Sequence, residues 1–160
     1  WYHPIIRELA CAIDFADDFK RLGQMAVPAI AAHEAQKSVS LLEELGFIRR
    51  LDDGRYEKTA ASLSTGAAVR SIAVANYHKA MIALGAESIE RFRAAQRDIE
   101  SVTVSVSDET YRAMMARAHD FMMELLNMAH NDAKTDRVAQ VNIQVFPLSR
   151  PTGDQKRRRA

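Results

Sequence analysis

A chain of 160 residues with 48% hydrophobic and 27% charged residues has the make-up of one ordinary domain or two small ones sharing a core. This excludes wholesale disorder, collagen-like repeats and low-complexity scaffolds. The net charge is +1, but four cations sit in the run Lys156–Arg159; without it 18 basic residues face 21 acidic ones, and a body at −3 lacks the basic footprint of a stand-alone nucleic-acid binder.

In chain order, residues 4–13 read as a helix, with Pro4 suited to its first turn and Ile5, Leu9 and Ala12 at helical spacing. A second helix is expected over 15–25, with Phe15, Phe19 and Leu22 on one face and Pro28 as its breaker. A third runs from about His33 to Leu45, buries Ala35, Val39, Leu42 and Leu45, and stops at Gly46. Two short β-prone runs, residues 47–51 and 55–59, then flank Asp52-Asp53-Gly54, a hairpin signal because glycine supplies the positive φ that tight turns require. Three helices followed directly by a hairpin is the winged-helix order.

Residues 66–94 read as one long helix with Val74, Tyr77, His78, Met81, Ile89 and Phe92 along one side. Val102, Val104 and Val106 alternate with polar residues, the pattern of a half-buried strand. Ser107 is a natural N-cap, and Asp108 and Glu109 lie where a helix dipole favours acids, so a helix is expected from there to about Asn131. Val141, Ile143 and Val145 alternate again as a last strand. The predicted fold is α+β and mostly helical: a winged helix over 1–60, a long helix plus a β-α-β unit over 61–149, and a flexible basic tail over 150–160. The tail reads as a solvated end, with a phosphate-gripping arm as the alternative.

Ser38-Val39-Ser40-Leu41-Leu42-Glu43-Glu44-Leu45-Gly46-Phe47-Ile48, the Asp-Gly turn, Tyr77-His78 with Met81, Arg97-Asp98-Ile99-Glu100-Ser101, and Val141-Asn142-Ile143-Gln144-Val145-Phe146-Pro147-Leu148 occur in this order. Together they resemble a C-terminal domain of unknown function in a paralogous family of bacterial transcription regulators. The resemblance spans roughly residues 1–149, with each motif weak alone and specific in combination. It implies a domain that follows a helix-turn-helix segment and carries no established enzymatic activity. The start at Trp1, without a basic-then-apolar leader, agrees with a piece of something longer and predicts no signal peptide.

Four chemistries are open to these residues. For DNA, the third helix would present His33, Gln36, Lys37, Ser40 and Glu44, and the hairpin Arg49, Arg50, Arg55 and Lys58, groups able to read base edges or meet phosphates. Yet between His33 and Thr59 five basic residues meet six acidic ones, so little counterion release is available. The winged helix then serves either as a structural or dimerisation module or as an aid to a DNA-reading segment missing from this chain. For metal, His119 and His130 are separated by roughly 16 Å of helix rise, too far to share an ion, and His33 and His78 have no partner at ligand spacing, so neither metal nor cofactor is expected. For catalysis, Cys11 lies in an apolar helix as a packed small hydrophobe, with no glycine-rich phosphate loop or nucleophile motif.

For self-association, Tyr111, Met115, Ala118, Met122, Leu125 and Ala129 form one apolar stripe, and Met114, Phe121 and Met128 form a second beside it. The helix is therefore either a core element or part of a dimer interface, and its methionines suit an adaptable pocket. Tyr111, Met114, Met115, Phe121, Met122 and Met128 are its interface or pocket candidates. The longest apolar run, Met25–Ala32, is eight residues and contains Pro28, short of the about 20 a membrane helix needs. A lone cysteine fits a reducing compartment, so a cytoplasmic protein with no membrane partner is expected. The expected function is a non-enzymatic regulatory and oligomerisation domain, a homodimer, of a transcription regulator. The alternatives are direct DNA binding by the winged helix and sensing of a small-molecule effector.

Overall fold

The structure, a computed structural model, describes residues 1–59 and 67–150, the side chains of 67–72 excepted. The basic tail from residue 151 and the expected start of the long helix at residue 66 lie outside these. The described chain is α+β and mostly helical, with five α-helices and one two-stranded antiparallel sheet. It divides into two units, one of Trp1–Arg97 with Lys134–Gln140, the other of Asp98–Ala133 with the chain from Val141 on.

In the first unit, α1 (His3–Ala12) takes Pro4 in its first turn, where the missing N–H would have no helical partner, and buries Ile6, Leu9 and Ala10. Helix α2 (Phe19–Met25) begins at Phe19 rather than residue 15. Ala16 and Asp17 adopt φ of 50° and 58°, the Asp14 carboxylate accepts the Ala16 N–H at 3.0 Å, and Asp18 caps α2 by accepting the Arg21 N–H at 2.9 Å. Apolar spacing carries Phe15 to the core, where it is buried, but does not report this turn chemistry. Helix α3 (Ala32–Glu44) opens with Glu34 accepting the Ala31 N–H at 2.9 Å and buries Ala35, Ser38, Val39 and Leu42, one face at helical spacing. Leu45, expected in that stripe, falls past the helix end and is exposed. Gly46, at φ 71°, terminates α3 as the Phe47 N–H reaches back to the Leu42 carbonyl at 2.8 Å.

Strands β1 (Ile48–Arg50) and β2 (Tyr56–Lys58) pair antiparallel with Ile48 opposite Lys58, Arg49 opposite Glu57 and Arg50 opposite Tyr56. Gly54, at φ 85°, supplies the positive φ of the connection. One apolar core joins Ile6, Leu9, Phe15, Leu22, Val39 and Ile48, with the Phe15 and Tyr56 rings stacked at 5.8 Å. Arg7 ties α1 to the hairpin, its guanidinium donating to the carbonyls of Phe47 (3.3 Å) and Thr59 (3.1 Å). His3 Nδ1 meets the fully buried Ser38 hydroxyl at 2.8 Å.

Burial lowers the His3 pKa from its ordinary 6.5, so the fold favours the neutral ring. A depressed imidazole stabilises the fold above its unfolded-state pKa and loses that contribution as pH falls through the folded value. Denaturant midpoints measured at about pH 7.5 and about pH 5 should therefore fall on acidification by an amount that His3→Gln reduces; an identical fall in that variant would assign the loss to other groups.

Helix α4 (Ala67–Arg91) buries Met81 and half-buries Tyr77, whose hydroxyl donates to Gln140 Oε1 at 3.4 Å. Val74, His78 and Ile89, expected on the same side, are exposed. A 3₁₀ turn over Ala94–Gln96 follows.

The second unit holds α5 (Asp108–His130), capped by Ser107 Oγ, which accepts the Thr110 N–H at 3.2 Å, with Asp108 and Glu109 in the first turn. The expected β-α-β unit does not form among the described residues. Neither 102–106 nor 141–145 forms a strand, and among the described residues the only sheet is the hairpin. Alternation records which side of an extended segment is apolar, whereas a strand also needs a ladder partner, and two parallel strands alone make a marginal sheet.

Candidate functional site

Two surfaces carry the residues singled out by sequence. The first is the outer side of α3 with the hairpin. His33, Gln36, Lys37, Ser40 and Glu44 are all exposed there, because the buried positions 35, 38, 39 and 42 turn them outward. Lys37 has no ion-pair partner among the described residues. The hairpin cations differ in this respect. Arg49 donates to Glu57, directly across the sheet, with Nε at 2.9 Å. Arg50 lies 2.5 Å from the Asp17 carboxylate and 5.7 Å over the Tyr56 ring. Arg55 grips Asp53, Nε to Oδ2 at 2.8 Å, and Lys58 pairs with Glu8 of α1.

Each of the four cations is thus matched by a carboxylate of its own fold. The hydrogen bond from Arg55 holds Asp53 below the usual carboxylate range, and the bond to Asp17 raises Arg50 further above its ordinary value. Glu57, Asp17, Asp53 and Glu8 are therefore the partners that reading the cations alone leaves out. Glu57 is recoverable from the hairpin register and Asp53 from its position two residues before Arg55. Asp17 and Glu8 come from distant elements and leave no local signal.

The second surface is α5. Tyr111, Met114, Ala118, Met122 and Leu125 form a half-buried line, and the helix has no fully buried residue. Met115, Ala118, His119 and Met122, with Ile143 and Val145, line a shallow depression of about 280 Å³, at the lower edge of the size range of small-molecule sites. Of the predicted pocket residues it gathers Met115 and Met122. Phe121 and Met128 lie on the other flank of the helix and are 52% and 68% exposed.

Elsewhere, burial pushes the Cys11 thiol above its ordinary pKa, favouring the protonated form. Among the described residues no group of three or more His, Cys, Asp and Glu side chains is placed to hold a metal ion, and no helix is long and apolar enough to cross a membrane. Compared with known proteins, the family model for the domain of unknown function DUF4423 matches residues 1–148. No curated protein and no solved structure matches the chain.

Proposed function

The chain belongs to the DUF4423 family, and from that premise we propose that it is a non-enzymatic regulatory and oligomerisation module of a cytoplasmic transcription regulator. In this reading α1–α3 and the hairpin form a winged helix that works beside a DNA-reading segment supplied elsewhere, and the second unit brings copies together. The observation that carries the reading is the pairing of Arg49, Arg50, Arg55 and Lys58 with Glu57, Asp17, Asp53 and Glu8. A cation already matched by a carboxylate offers a phosphate only what is left after breaking that pair, and Glu43 and Glu44 add negative charge on the same side. The exposed apolar flank of α5 supports the association half of the reading, since a helix apolar on two sides lowers its free energy by covering both.

The test compares DNA binding at low and high salt for three proteins: the native chain, a chain lacking Lys156–Arg159, and Arg49→Ala/Arg50→Ala/Arg55→Ala. We expect weak binding that salt abolishes and that the tail deletion removes, with the triple variant close to the native chain. Salt-resistant, nanomolar binding that survives tail deletion and disappears in the triple variant would establish the winged helix as a direct reader and overturn the proposal.

A further inference from the structure

We infer that two copies of the chain associate through antiparallel α5 helices in a register centred on Phe121. This rests on the association reading above and specifies its geometry. Met114, Phe121 and Met128 recur at intervals of seven and so lie in one stripe along α5, Met114 half-buried, Phe121 and Met128 exposed. Arg117 and Glu124, exposed and also seven apart, border that stripe on its same edge.

When identical helices face each other antiparallel, a residue above the centre meets one equally far below it, and like edges lie together. With Phe121 near the two-fold axis, Met114 then lies across from Met128 of the second copy. Arg117 comes beside Glu124 of the second copy, and the symmetry makes that ion pair twice. A parallel two-fold arrangement would instead put the Arg117/Glu124 edges of the two copies on opposite sides of the contact, where they cannot pair, so charge selects the antiparallel one.

The other exposed flank, Met115, Met123 and Leu126, lacks this complementarity. The equivalent register would set Arg112 against His130, which offers no carboxylate, and Arg112 is already paired with Asp108 at 2.9 Å. Met115 also belongs to the depression lined by Ile143 and Val145. The occupant of the Phe121 stripe is therefore a second copy of this chain. Three apolar residues a side make a small contact, so the dimer is weak, with a dissociation constant on the order of tens of micromolar.

Sedimentation equilibrium of the full chain at low salt tests this with Arg117→Glu, Glu124→Arg, the double exchange and Phe121→Lys. Positions 117, 121 and 124 are exposed, and retained helical circular dichroism verifies folding. Each single charge reversal should weaken dimerisation about 3–10-fold, the double exchange should return it to within about 2-fold of native, and Phe121→Lys should weaken it by about 10-fold or more. A native chain that stays monomeric would overturn both this inference and the association reading. A dimer whose stability ignores all four variants would overturn the register alone.

Discussion

Gly23→Ala should lower the stability of the first unit by about 1–3 kcal/mol, read as a fall in denaturant midpoint. In a solvent-facing helix the same change would stabilise by up to about 1 kcal/mol, because alanine is the better helix former. The surroundings of Gly23 reverse that sign. A Cβ built there stands 2.5 Å from the Ile30 carbonyl oxygen, a distance real Cβ atoms do not tolerate. The obstruction is backbone, so no rotamer change relieves it. The same stretch is pinned by the Ile30 N–H donating to the Gly23 carbonyl at 3.0 Å, so moving Ile30 away also strains a hydrogen bond. A variant as stable as the native protein would mean that the loop between α2 and α3 yields more easily than this spacing implies.

Leu22→Ala should cost about 3–5 kcal/mol, the larger of the two effects. Leu22 is completely buried and belongs to the cluster with Ile6, Phe15 and Val39, contributed by different segments. Helix α2 is only seven residues long and could not persist in isolation, so its packing supplies its stability. Removing the isobutyl group takes away both transfer free energy and the contacts that hold those segments to one another. Set against the roughly 5–15 kcal/mol typical of a whole domain, the loss should appear as early, broadened thermal unfolding of the first unit. A loss below about 1 kcal/mol would indicate that the cluster closes over the gap.

Local signals in the sequence read through to the structure where one residue carries the cause. Gly46 ends α3, Asp-Gly closes the hairpin and Ser107 caps α5, because each acts within about four residues of itself. The pairing of Arg49 with Glu57 likewise follows from the hairpin register alone. What the sequence left hidden depends on separation. Arg50 meets Asp17, Lys58 meets Glu8, and Arg7 reaches the Phe47 and Thr59 carbonyls, all between elements whose relative placement only the folded core determines. The valine alternation at 102–106 misled for a related reason: side-chain patterning marks a preferred side, and pairing is a tertiary fact. The candidate DNA face was thus legible as a set of exposed positions and illegible as an electrostatic surface.

That surface has a consequence for how an approaching molecule would sense it. Four cation–carboxylate couples, each closed within its own fold, present themselves as dipoles, whose far field decays more steeply with distance than that of isolated charges. Beyond about a Debye length, about 8 Å at physiological ionic strength, the hairpin exerts almost no pull and steers nothing toward itself. Any selectivity it possesses is exercised at touching range, by shape and by the willingness of those couples to exchange partners.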